Sequence, residues 1–359
     1  MYLYSDFDLN AIKDQKELSI AQDHFFLVAY HEKLLKQDVH RCYLQLQRTR
    51  VYWLNWSDKT PSYKYYNDEI LRSALVLKLL TYEKSGAVLA AATTSLPETI
   101  GEVRNWDYRF CWIRDASMVI RVVTELGHTR VAQRFLQFVL DTIPDKDEPI
   151  QIMYGINGEK RLTEKFLDHL SGYKNSSPVR IGNAAYDQTQ HDIYGVLVDV
   201  IYQQFKRFDC HIDNGEELWS MCKGIVSIVE KNWQTTDRGI WELRTEERHF
   251  TFSKLLCWVA VDRAIKVAEL IKMKDYVEKW EPLREEIYNS IYENAWNEEI
   301  QAYTQYYGSK DLDASTLLME SYGFIEANDP RFINTVKATE KELCKDCLLY
   351  TSPSPRDRG

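Results

Sequence analysis

The sequence predicts an all-α toroid of paired helices, two concentric rings that leave a funnel lined by loops at one end, preceded by a short region of extended segments. Two observations carry the prediction. Apolar residues recur at three-to-four spacing through most of the chain beyond residue 60. The stretches between these stripes are long, irregular and rich in Gly, Pro, Asn and Trp, as loops that carry function are. With 359 residues, 45% of them hydrophobic, there is enough apolar material for the large core such a ring needs. No short sequence repeat accompanies the helix pairs.

Residues 1–58 come first, as short extended pieces at 25–30, 41–46 and the aromatic 51–56. They are too few for a stable sheet of their own. They are expected to be the end of a β domain or an appendage on the larger domain, with the polar, turn-forming residues 57–62 as the boundary. The helical region then runs from 59 to 345. Leu71, Ala74, Leu75 and Leu79 make its first stripe, and Ala116, Val119, Ile120, Val123 and Leu126 the next. Leu218, Cys222, Ile225 and Val229 follow, then 255–271, about 275–296, 313–323 and 329–343. Irregular stretches at 98–112, 154–160, 171–186 and 233–250 separate them. Residues 346–359 break into Ser/Pro repetition without core-forming content, and read as a junction with unrelated sequence.

A net charge of −9 argues against phosphate backbones and anionic membranes as partners. Seven scattered cysteines read as free thiols in a reducing compartment, so the expected location is cytoplasmic. Cys344 and Cys347 have half-zinc spacing, but no second Cys/His pair lies near them, and no metal or other cofactor is expected. Nucleotide-binding glycine loops and the H-E-x-x-H zinc signature are absent from the sequence.

Residues 104–115 pack four aromatic rings, three arginines and two aspartates into twelve positions, immediately ahead of a helix. Rings supply flat faces and Arg and Asp supply directed hydrogen bonds, and a sugar needs both. For a lone Arg114-Asp115 pair, helix capping is the simpler account; Tyr108 and Trp112 in the same stretch favour a carbohydrate. A second loop, around Arg180 and on through Gln188 and Gln190 into a helix, fits a tight turn with a cap equally well. His191 within it reads as exposed or hydrogen-bonded. In a third loop Glu242 lies between Trp241 and Leu243, surroundings suited to a proton donor, although a solvated loop Glu is the plainer reading. Ser253 reads as an N-cap and Asp313 as the cap of the 313–323 helix.

Together, the stretch 85–98, the run from Asn105 to Asp115, the loop Pro178-Val179-Arg180-Ile181-Gly182-Asn183-Ala184-Ala185 and Gly239-Ile240-Trp241-Glu242 with His249, Phe250, Ser253 and Lys254 resemble glycoside hydrolase family 15. The resemblance covers about residues 47–343. It implies an (α/α)6 six-hairpin barrel behind the end of a β-sandwich domain, and inverting, exo-acting hydrolysis of α-glucosidic bonds that releases glucose. Inversion places the acid and the base ~6.5–9.5 Å apart, so that water fits between base and sugar. By this likeness Glu242 is the general acid. Tyr108, Trp112, Arg114 and Asp115 hold the non-reducing glucose, Trp241 is a subsite aromatic, and Arg180 and Gln190 lie near the site.

The expected substrate is an oligosaccharide or disaccharide α-glucoside, with a glucoamylase-type activity first, trehalase as the alternative, and a non-catalytic carbohydrate-binding protein as the alternative of another class. Fungal glucoamylases carry a second Glu directly after the acid, where this chain has Leu243. The family's general base is a Glu late in the barrel, and no counterpart is expected in this chain. The barrel is therefore expected to be incomplete at its C-terminal end, and the chain a fragment that is inactive alone.

Overall fold

The protein is described by a computed structural model that covers residues 1–30, 32–143, 150–208, 214–244, 246–345 and 348–349. Its contacts divide the chain into two units, Met1–Leu75 and Val76–Gly359.

In the first unit, β1 (Tyr2–Ser5) pairs antiparallel with β2 (Phe26–Ala29), Tyr2 opposite Ala29. The short helix α1 (Leu9–Lys13) lies between them in sequence, capped by Asp8, whose carboxylate accepts from the Asn10 N–H. The segment at 25–30 is thus extended, as expected. The segments at 41–46 and 51–56 are not. Both belong to one helix, α2 (Val39–Ser57), started by Asp38, which accepts from the Arg41 N–H at 2.8 Å. The aromatic and β-branched content of 51–56 points to a strand, but spacing decides otherwise. Val39, Cys42, Trp53 and Trp56 are among the less exposed positions and lie three or eleven residues apart, one or three helical turns. Helix α3 (Asn67–Leu79) runs to the end of this unit and beyond, with Asp68 and Glu69 in its first turn.

In the second unit β3 (Cys111–Trp112) leads directly into α4 (Ile113–Glu125), followed by α5 (Thr129–Thr142) and by β4 (Met153–Tyr154), which pairs antiparallel with β3. Next come β5 (Lys165–Phe166) and β6 (Arg180–Ile181), also paired, and then α6 (Asp192–Arg207), α7 (Gly215–Asn232), α8 (Thr251–Leu270) and α9 (Lys274–Asn294). The hairpin β7 (Trp296–Asn297) and β8 (Ala302–Tyr303) precedes the short α10 (Leu318–Ser321), and α11 (Pro330–Leu343) precedes the pair β9 (Cys344–Lys345) and β10 (Leu348–Leu349). Residues 313–323 are not one helix but a 3-10 turn, Ala314–Leu317, followed by α10.

Burial separates these helices into two kinds. α6 and α8 are buried nearly all round, while α5 and α7 bury one stripe. That is the difference between a helix inside a layer of others and one on its outside. Consistently, α4 packs on α6 and α6 on α8, with α5 against α4, α7 against α6 and α8, and α9 against α8. At Gly195 the backbones of α6 and α8 approach so closely that a Cβ would stand 2.2 Å from the Leu256 carbonyl oxygen. Connections 98–112, 171–191 and 233–250 deliver the chain to the N-terminal ends of α4, α6 and α8 in turn, and the candidate site is built from those three ends.

Cys42, Cys111, Cys222, Cys257 and Cys344 are free thiols, and Cys210, Cys347 and residues 350–359 lie outside the described residues. Among the described residues no helix is long and apolar enough to cross a membrane, and no group of three or more His, Cys, Asp or Glu is placed to hold a metal ion.

Candidate active site

The dense run at 104–115 sorts into two sets. Asp107, fully buried, is gripped by Arg109 through Nε and Nη2, each at 2.8 Å, and accepts from the Gly182 N–H at 3.0 Å. This ties the first loop to the loop carrying Arg180. The Trp106 ring has the guanidinium of Arg180 4.5 Å and that of Arg244 4.1 Å from its centre, and Glu164 pairs with both arginines at 3.3 Å. These residues hold loops together. The other set, Tyr108, Trp112, Arg114 and Asp115, lines a cavity of about 380 Å³ together with Ala90, Met118, Ile240, Trp241 and Glu242.

Glu242 is the centre of that cavity's polar chemistry. The Trp112 indole N–H donates to its Oε1 at 2.6 Å, and Arg114 Nη2 stands 3.6 Å from the same oxygen. On its other sides Arg114 faces Asp115 at 3.1 Å and Asp192 at 3.3 Å, and Nη1 donates to Gln190 Oε1 at 2.9 Å. Burial alone would weaken the Arg114 charge, but Asp115, Asp192 and Glu242 outweigh it and hold the guanidinium firmly protonated. For Asp192, fully buried as the first residue of α6, burial is the larger influence and raises its carboxyl above the usual range against the pull of Arg114.

The loop bearing Glu242 is fixed at its base. Asp237 pairs with Arg248 in an antiparallel bridge, and the buried Lys254 ammonium donates to the carbonyls of Trp233 and Thr235. Gly239, at φ +64°, lies against the Phe250 ring, where a Cβ would come within 2.7 Å. Glu242 itself sits at φ +54°, left-handed backbone that costs a residue with a Cβ about 1–3 kcal/mol and persists only where its surroundings enforce it. Its neighbour Trp241 donates through Nε1 to Asp313 Oδ2 at 2.6 Å.

Beneath the loop, Asp237 Oδ2 accepts from the His191 N–H at 2.9 Å and the Ser253 hydroxyl at 2.7 Å, joining the starts of α6 and α8. Burial pushes the Asp237 carboxyl up to about 7 despite these donors. His191 is not exposed but buried, and burial, with Lys254 and His249 adding to it, pushes its imidazole down to about 4. Ser253 is not the N-cap of α8, a position held by Phe250; its hydroxyl serves Asp237 instead.

Six sequence-predicted residues, Tyr108, Trp112, Arg114, Asp115, Trp241 and Glu242, thus converge on one cavity. Gln190 lies one layer behind, on Arg114, and Arg180 is engaged by Trp106, Glu164 and the carbonyls of Val103 and Asn105. Sequence reasoning passed over Asp192, which resembles any acidic residue opening a helix, and saw only half of Asp313, which caps Ser315 at 2.8 Å as expected but also holds Trp241.

The sequence profile described as Glycosyl hydrolases family 15 matches residues 64–356. The chain belongs to this family. Among its relatives, a trehalase of Mycolicibacterium smegmatis is 45% identical over 300 residues, covering 83% of this chain and 44% of the relative. A trehalase of Thermoplasma volcanium is 38% identical over 317 residues, covering 88% of this chain and 50% of the relative. The chain therefore spans about half the length of the relatives it matches. A bacterial glucoamylase solved with acarbose superposes with a TM-score of 0.62 at 17% identity, over 84% of this chain and 44% of the other. At that identity the likeness concerns the fold, and it places this chain in the all-α six-hairpin class.

Proposed function

We propose that this chain carries the glucose-holding and proton-donating part of a trehalase. The reading corrects the order of the sequence-based expectation, in which a glucoamylase-type activity came first. It is supported by the trehalases among the relatives and by Leu243, a buried apolar side chain where fungal glucoamylases have their second Glu. The observation that carries the chemistry is the Glu242 carboxyl, held at the cavity by the Trp112 indole beside Arg114.

In the proposed reaction Arg114 and Asp115 take hydroxyls of the first glucose, and Tyr108 and Trp112 bound its ring. Glu242 gives its proton to the glycosidic oxygen as the bond to C1 breaks, and a water attacks C1 from the opposite face, its proton passing to a carboxylate base. Two glucose molecules result, the attacked one with inverted configuration. Among the described residues, the carboxylates lining the cavity are Glu242 and Asp115, and Asp115 pairs with Arg114.

Glucose release from trehalose and from maltose by the protein carrying this chain tests the reading. Release from trehalose well above that from maltose is expected. Release from maltose with trehalose untouched returns the assignment to the glucoamylase type, and tight glucose binding with no hydrolysis of either sugar marks a binding protein.

A further inference from the structure

Two consecutive residues of the 233–250 loop are pinned by the same kind of bond in opposite senses. At Glu242 the loop supplies the carboxylate, and the scaffold the indole of Trp112. At Trp241 the loop supplies the indole, and the scaffold the carboxylate of Asp313. Both bonds are 2.6 Å, short for N–H···O. The peptide between these anchors leads into the left-handed conformation of Glu242, so the two bonds act on the strained residue from either side.

Asp313 is equipped as an anchor. It is buried, its Oδ1 accepts from the Ser315 N–H at 2.8 Å, and its Oδ2 accepts from Gln305 at 3.2 Å as well as from Trp241. These partners fix both carboxylate oxygens before a sugar arrives. Asp313 does not line the cavity, whereas Trp241 and Glu242 both do.

We propose that Asp313 is a positioning residue for the proton donor: by holding the Trp241 indole it fixes the Trp241–Glu242 peptide and thereby aims the Glu242 carboxyl at the glycosidic oxygen. The inference rests on Glu242 being the donor. It divides the site into two parts. Arg114 and Asp115, at the start of α4, grip glucose independently of Asp313; Trp241 and Glu242, which meet the leaving sugar and its oxygen, depend on it. Misplacement of a reacting group by about 1 Å costs on the order of 100-fold in rate.

The test is hydrolysis of trehalose by Asp313→Ala, Asp313→Asn and Trp241→Phe, with glucose affinity measured beside it. Asp313→Ala is expected to lower kcat about 10- to 100-fold with glucose affinity unchanged. Asp313→Asn, which keeps an acceptor for the indole, should recover most of that loss. Trp241→Phe removes the donor while leaving Asp313 to cap Ser315, so it tests the same bond even if Asp313→Ala does not fold. Its loss and that of Asp313→Ala are expected not to multiply in the double variant. Equal falls in kcat and glucose affinity, losses that multiply, or Asp313→Ala and Trp241→Phe turning over like the unsubstituted protein would overturn the proposal. If Glu242→Gln hydrolyses trehalose normally, it is the assignment of the donor that fails instead.

Discussion

Replacing Gly195 by Ala probes the contact on which the site's frame depends. Gly195 lies three residues into α6 from Asp192, where that helix crosses α8. An added Cβ would stand 2.2 Å from the Leu256 carbonyl oxygen and 2.8 Å from its carbonyl carbon and Cα. To bring 2.2 Å out to the 3.4 Å at which ordinary contact begins, the Leu256 backbone must retreat by about 1.2 Å. No flexible side-chain tip is available to yield, so the two helices separate and the buried side chains between them lose dispersion contact. Overpacking typically costs about 1–3 kcal/mol, and a collision with backbone puts this site near 3 kcal/mol. Ala gains about 1 kcal/mol over Gly as a helix former, which leaves a net loss of about 2 kcal/mol. At ~2 °C per kcal/mol for a unit of this size, Tm falls by about 4 °C in a calorimetric or circular-dichroism melt. A Gly195→Ala protein that melts at or above the unsubstituted temperature would refute the close packing of α6 on α8.

Trp112→Phe keeps the ring and removes the donor to Glu242. As Glu242 gives up its proton it becomes a carboxylate, and a hydrogen bond to such a charged partner is worth ~1.5–3 kcal/mol, so kcat on trehalose should fall roughly 10- to 150-fold, and an unchanged kcat would show that the bond has no part in the reaction. Stability should depend on pH through two buried groups of opposite sense. Asp237, raised from 3.8 to about 7, binds its proton more tightly in the native state, so its contribution is complete below about 4 and is lost as pH rises through 7. His191, lowered from 6.5 to about 4, contributes fully above 6.5 and loses that contribution as pH falls through 4. In urea unfolding, the stability difference between the unsubstituted protein and Asp237→Asn should therefore shrink as pH rises from 4 to 7, and the difference from His191→Gln should grow from 4 to 6.5. Trends of the opposite sign would contradict the burial of these two groups.

Legibility did not follow burial alone: 255–271 was read as helical although α8 is buried nearly all round, while α5, which buries one stripe, was not among the stripes read. Ala116 to Leu126 shows the three-to-four apolar spacing, and α4 follows it. α2 was misread because Val51, Tyr52, Trp53 and Trp56 lie together and match strand preferences locally, while the helical spacing that links them to Val39 and Cys42 is spread over five turns. At the site, sequence located the residues with distinctive chemistry, the aromatics, Arg114 and Glu242. It put Arg180 only near the site; the Arg180 guanidinium packs on Trp106, whereas Arg114 faces the cavity, a difference set by the loops folded against them. Asp192 and Asp313 have ordinary capping signatures; their second roles depend on partners 78 and 72 residues away.

Whether Glu242 donates the proton is decided by trehalose hydrolysis with Glu242→Gln in the protein carrying this chain. Gln keeps the shape and an acceptor for the Trp112 indole but has no proton to give. The expected kcat is lower by about 10²–10⁴-fold with KM little changed. A variant that turns over within a few-fold of the unsubstituted protein would contradict that role for Glu242.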